Sequence, residues 1–61
     1  MLYEVQIKST NKIIPVEASK FCCDEPGFVV FYKRNPDTSV FEEVARFKSS
    51  NVRNVLETDV H

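Results

Sequence analysis

The chain has 61 residues, of which 43% are hydrophobic and 28% charged, and its formal net charge is −1. A chain this short buries only about 60% of the surface that it exposes when unfolded, which argues against an elaborate active-site cavity. The near-zero charge excludes both the strongly basic balance that drives non-specific phosphate binding and the acidic balance of a nucleic-acid mimic.

The N-terminal residues carry no targeting or membrane signal. "MLYEVQIKST" has no basic segment followed by an apolar run. No segment approaches the roughly 18 apolar residues of a membrane-spanning helix. The two cysteines, Cys22 and Cys23, are neighbours and cannot cross-link distant parts of the chain. We therefore expect a cytoplasmic protein with no membrane partner.

The first two predicted strands form a hairpin. In residues 2 to 8, the apolar Tyr3, Val5 and Ile7 alternate with polar residues, which is the pattern of a half-buried strand. A polar cluster then predicts a turn, and residues 13 to 18 resume the alternation. Pro15 has no backbone donor, so we expect this second strand to lie at a sheet edge or to be bulged at Pro15.

The central predicted strand, residues 28 to 33, is apolar on both faces. It follows a segment without sustained period that ends in the turn sequence Asp-Glu-Pro-Gly. Its side chains divide into two sets, with Phe28, Val30 and Tyr32 on one face and Val29 and Phe31 on the other.

Residues 39 to 48 carry a pattern that fits either a helix or a strand. Their apolar residues cluster on one helical face, and Ser39 with Glu42 fits a capping box. A strand would place Glu43 among the apolar residues of one face, so it would need a β-bulge. The short preceding loop and the matching length favour pairing with residues 28 to 33, and we predict a strand.

Four short stretches carry a resemblance to other proteins: "VEASKF", "PGFVVFY", "EVARF" and "NVRNV". In this order they resemble a recurrent pattern in small phage, prophage and bacterial proteins that are read as compact all-β domains. The resemblance implies a strand for residues 41 to 47 and an accessory role in a phage or mobile element. It implies no catalytic residue.

Together these elements predict an all-β fold in one small domain, residues 1 to 61. "SSNV" indicates a single helical turn, and "VRNVLE" indicates the last strand. We expect a five-stranded antiparallel SH3-like barrel with that turn before its last strand. The alternative is an α+β fold in which residues 39 to 48 form a helix packed on a three- or four-stranded sheet.

Residues able to build a catalytic, metal or cofactor site are few. The one histidine, His61, is the last residue, where catalytic geometry is not held. Cys22 and Cys23 lack the spacing of structural zinc ligands, and one glycine, Gly27, is too few for a phosphate-binding loop. We expect no enzyme activity, no metal and no cofactor.

The central strand supplies the candidate binding residues. Because only one face of a strand in a single-layer barrel points inward, one of its two apolar sets is left outside and needs a cover. The candidates are Phe28, Val30 and Tyr32 on one face and Val29 and Phe31 on the other. We expect the cover to be another protein or a second copy of the chain.

A nucleic-acid interface is the alternative for the same strand. Two rings on one face, about 13 to 14 Å apart, can each stack a base, and nearby cations can contact phosphates. Its residues would be Phe28, Tyr32, Lys33, Arg34 and Arg46. The RNA-binding aromatic signature is matched only at Gly27 and Phe28.

These patterns predict a non-enzymatic protein-binding module that modulates a host protein or associates with itself. The competing predictions are a small β-barrel that binds single-stranded nucleic acid and a structural subunit of a larger assembly.

Overall fold

The computed structural model describes residues 1 to 58 and shows an all-β fold, as predicted. The elements in chain order are β1 (Leu2–Ile7), β2 (Ile13–Glu17), β3 (Lys20–Cys22), β4 (Phe28–Arg34), β5 (Phe41–Lys48), a 3-10 turn (Ser49–Asn51) and β6 (Val52–Glu57). The helical turn before the last strand is present. The alternative helix over residues 39 to 48 is wrong, because this segment is β5.

The six strands form two antiparallel three-stranded sheets. Sheet 1 has the order β2-β1-β6, and sheet 2 has the order β3-β4-β5. The strand that contains Pro15 lies at an edge, as its missing donor requires. The first and last strands are neighbours, and the Thr58 N–H donates to the Leu2 carbonyl at 2.9 Å.

The predicted five-stranded barrel is wrong in strand number and in closure. The chain leaves sheet 1 and enters sheet 2 between Ala18, whose N–H donates to the Met1 carbonyl at 3.0 Å, and Ser19, whose N–H donates to the Tyr32 carbonyl at 2.8 Å. The residues after this corner form β3, which the sequence does not reveal because three residues are too few to establish a period. Strands that change sheet at a corner are a feature of orthogonally packed sheets.

The core lies between the two sheets and is centred on Phe31, which is fully buried. Its ring centroid lies 5.4 Å from that of Tyr3, 5.6 Å from Phe21 and 5.9 Å from Phe47. The other buried members of this core are Val5, Ile7, Val16, Ala18 and Val29. The Cα atoms extend only 13 Å along the shortest axis, so this single layer of side chains is the whole core.

Sheet 2 contains the predicted β-bulge. The pairing of β4 with β5 shifts register between Phe31 and Tyr32, since Phe31 lies opposite Ala45 and Tyr32 lies opposite Glu43. Val44 is therefore an extra residue in β5. Because of this extra residue, Ala45 lies on the core side and Glu43 on the other side. The charge of Glu43 therefore does not point into the core, as it would in a strand without a bulge.

Gly27 starts β4 from a backbone conformation that other residues rarely adopt. Its φ is +84°, and its carbonyl accepts the Ser49 N–H at 2.9 Å. A side chain at this position would be conformationally strained, although no atom lies within 4 Å of where its Cβ would be.

Candidate functional site

The side of sheet 2 that faces away from the core holds the candidate site, and we call it the outer face. Strand alternation and the ladder pairs assign its members. They are Lys20 and Cys22 from β3, Phe28, Val30, Tyr32 and Arg34 from β4, and Phe41, Glu43, Arg46 and Lys48 from β5.

The structure decides which apolar set of β4 is left outside. Val29 and Phe31 belong to the core, with 6% and 0% of their surfaces exposed. Phe28, Val30 and Tyr32 lie on the outer face. Val30 is nevertheless only 1% exposed, so its neighbours on this face already cover it.

Arg46 is the main cover over one half of the outer face. It lies opposite Val30 in the ladder, and its guanidinium carbon is 4.9 Å from the centroid of the Phe28 ring. Nη1 donates to Glu25 Oε1 and Nη2 to Glu43 Oε1, each at 2.8 Å. The two carboxylates hold the guanidinium in place, and its aliphatic stem shields the apolar residues below.

The same contacts fix the protonation of this group. The hydrogen bond from Arg46 holds the pKa of Glu43 below its ordinary value, against a smaller opposing effect of desolvation, and the charge of Arg46 adds the least. The hydrogen bonds to Glu43 and then Glu25 raise the pKa of Arg46 further above neutrality. Arg46 is thus a permanent cation whose charge is already matched by two carboxylates.

The other half of the outer face is open and holds Lys20, Tyr32 and Phe41. We call these three residues, together with the exposed Val40 just before β5 and the bulge residue Val44, the aromatic–lysine patch. Lys20 Nζ lies 4.3 Å from the Phe41 ring centroid and 5.8 Å from that of Tyr32. Phe41 is 43% exposed, Val44 49% and Val40 57%. This patch presents apolar side chains to solvent with a cation among them.

Four of the five residues of the nucleic-acid alternative lie on the outer face, and Lys33 does not. The contacts of its cations argue against a phosphate-binding surface. Lys33 lies opposite Glu42 on the side away from Tyr32. Arg34 donates from Nη2 to Ser39 Oγ at 3.0 Å. Arg46 is bound by two carboxylates.

Sequence reasoning missed Lys20, Val40, Phe41 and Val44 as site residues. Lys20 belongs to a segment without period, and the pairing of β3 with β4 brings it opposite Tyr32. A signal for Val44 was available in the sequence. The charged Glu43 among the apolar residues of one strand face predicted a bulge nearby, and the extra residue of a bulge lies outside the regular ladder.

Other groups in the described residues show no second site. Cys22 is half-buried, Cys23 is exposed, and both thiols are free. Within residues 1 to 58, no three His, Cys, Asp or Glu side chains cluster closely enough to hold a metal ion. His61 lies outside the described residues. A cavity of about 180 Å³ beside Ile7 and Arg53 is smaller than the roughly 300 to 1,000 Å³ of typical ligand pockets.

The fold and this surface define a small all-β domain with a partly covered, partly open aromatic face. None of its described helical segments has the length and apolar character needed to cross a membrane. The chain matches no protein-family model, no curated protein and no solved structure at a significant level. The resemblance to phage-type proteins therefore stays a prediction.

Proposed function

We propose that the protein is a non-enzymatic, cytoplasmic binding module whose contact surface is the aromatic–lysine patch. The observation that carries the proposal is the exposed Phe41 ring, which shares Lys20 with the Tyr32 ring and belongs to a segment with the exposed Val40 and Val44. Single exposed apolar residues are common on protein surfaces, but several in one short segment beside two aromatic rings are typical of a protein interface.

The chemistry of the patch indicates the kind of partner. Lys20 stands over two rings, and Arg34 lies opposite Phe41 in the ladder. A protein segment with an apolar side chain beside a carboxylate would fill the space over Phe41 and pair with these cations. The resemblance adds an accessory role in a phage or mobile element that modulates a host protein.

A capture experiment with matched variants tests the proposal. The immobilised wild-type chain, Phe41→Ser and Leu56→Ser are incubated with host lysate, and the retained proteins are identified. Phe41 and Leu56 are 43% and 42% exposed, and Leu56 lies in sheet 1. We expect a protein that the wild type and Leu56→Ser retain and Phe41→Ser loses. Equal retention by all three chains would contradict the proposal.

Binding of single-stranded nucleic acid is the second candidate, and Lys20 between the Tyr32 and Phe41 rings is the observation that favours it. It has less support, because Arg46 is neutralised and Lys33 lies on the opposite side of the sheet. Anisotropy of a labelled oligonucleotide at two salt concentrations tests it. Binding that weakens with salt would support this function.

A further inference from the structure

β5 is one of the two edge strands of sheet 2, and β3 is the other. In the part of the chain that the structure describes, only β4 pairs with β5. The hydrogen bonds from Ser49 to Gly27 and from Asn35 to Val40 set the alternation along the ladder. The backbone groups that point away from β4 are therefore those of Phe41, Glu43, Arg46 and Lys48.

The charges along β5 are arranged in two halves. Glu42 and Glu43 come first, and Arg46 and Lys48 follow. An antiparallel copy of the same strand places acidic residues opposite basic ones, whereas a parallel copy places like charges together. The edge is therefore complementary to itself under a two-fold axis, which is the requirement for a symmetric dimer.

We propose that a second copy of the chain pairs with this edge, β5 against β5 in antiparallel orientation. In the complementary register, Glu43 lies opposite Arg46 of the partner subunit, so the Glu43–Arg46 ion pairs within the two subunits join into one network of alternating charges. Phe41 lies opposite Lys48 of the partner subunit. All four residues have outward backbone groups, so both pairs form ladder hydrogen bonds. Sheet 2 then continues from one subunit into the other.

The bulge residue Val44 lies at the centre of this interface. Val44 is the extra residue between the two charged halves and is 49% exposed. In this register the two-fold axis passes between Val44 and Ala45, so Val44 lies opposite Ala45 of the partner subunit. This apolar contact is flanked by ion pairs on both sides. Such an apolar centre with a polar rim is the usual anatomy of a specific interface.

The inference goes beyond the proposed function, since it concerns the edge of sheet 2 and a second copy of the chain. An interface built from one strand is small, so we expect a dissociation constant on the order of 10 to 100 μM. Sedimentation across this concentration range measures it.

Charge complementation tests the register. In the Glu43→Lys variant, the new lysine lies opposite Arg46 of the partner subunit, and the two positive charges repel. In the Arg46→Glu variant, the new glutamate lies opposite Glu43 of the partner subunit, and the two negative charges repel. We expect each variant to dimerise at least about tenfold more weakly than the wild type. An equimolar mixture of the two has complementary charges at both positions, and we expect it to recover the dimer. A mixture that stays monomeric while both variants are folded by circular dichroism would overturn the proposal.

Amide hydrogen exchange tests the dimer in the wild-type chain, so its result does not depend on whether a variant folds. Dimerisation should slow exchange at Phe41, Glu43, Arg46 and Lys48 as concentration rises, while Val55 on the edge of sheet 1 stays unchanged. Monomeric wild-type chain at high micromolar concentration would also overturn the inference. A monomeric wild-type chain would leave the capture experiment with Phe41→Ser unaffected. The dimer and the proposed binding function are therefore tested by separate results.

Discussion

Glu43 and Arg46 lie three residues apart in β5, yet their side chains meet on the same face at 2.8 Å. In a regular strand, residues three apart point to opposite faces. The bulge at Val44 removes this restriction, because the extra residue restores the alternation one position later. One inserted residue thus creates the ion pair that holds Arg46 over the outer face.

This ion pair predicts a pH dependence of stability. The folded-state pKa of Glu43 is lower than its ordinary value of 4.5. The interaction therefore stabilises the fold above that value, and the contribution is lost as pH falls through the lower folded pKa. Titration followed by NMR should show a Glu43 midpoint below 4.5 in the wild type and a higher midpoint in Arg46→Gln. Equal midpoints would mean that the contact does not persist in solution.

Removal of the Phe31 ring should unfold the domain. The ring is fully buried and contacts three other aromatic rings. We expect Phe31→Ala to cost about 3 to 5 kcal/mol, which is comparable to the whole stability of a domain this small. Far-ultraviolet circular dichroism and urea titration measure the effect. Phe41→Ala is the control, and we expect it to stay within about 0.5 kcal/mol of the wild type.

Val30 and Val44 offer a matched test of the cover on the outer face. Both are valines in strands of sheet 2, but Val30 is 1% exposed and Val44 is 49% exposed. Val30→Thr buries a hydroxyl group, and we expect a loss of about 1 to 3 kcal/mol. Val44→Thr should change the free energy of unfolding by less than about 0.5 kcal/mol. Similar losses in the two variants would show that Arg46 does not shield Val30.

The two cysteines should differ in reactivity although they are neighbours. Cys23 is exposed, whereas Cys22 is half-buried opposite Val30. We expect a thiol reagent to modify Cys22→Ser, which retains the exposed thiol, several-fold faster than Cys23→Ser, because access limits the rate. The absorbance of the released thiolate follows both reactions. Equal rates would indicate that β3 separates readily from β4.

Much of the fold follows from local patterns in the sequence. The alternation of Tyr3, Val5 and Ile7 predicts β1 and its buried face, and the donor missing at Pro15 predicts an edge. The position of Glu43 predicts the bulge. Each of these signals is contained within a few consecutive residues, so no knowledge of distant contacts is needed.

The remaining features depend on contacts that no local pattern contains. β4 is apolar on both sides, so the sequence alone cannot show that sheet 1 packs against Phe31 and leaves Val30 outside. Lys20 joins the site only because the chain turns from one sheet into the other at Ala18 and Ser19. The division of the outer face into a covered and an open half likewise depends on the ion pairs of Arg46 with Glu25 and Glu43, which hold its guanidinium over one half.

The central position of β1 in sheet 1 has a consequence for synthesis on the ribosome. β1 pairs with β2 and also with β6, which comes last in chain order among the six described strands. The first hairpin must therefore wait, with one side of β1 unpaired, until β6 has left the exit tunnel. Pairing over this sequence separation is slow to form. A nascent chain halted before β6 should thus be the form most dependent on chaperones.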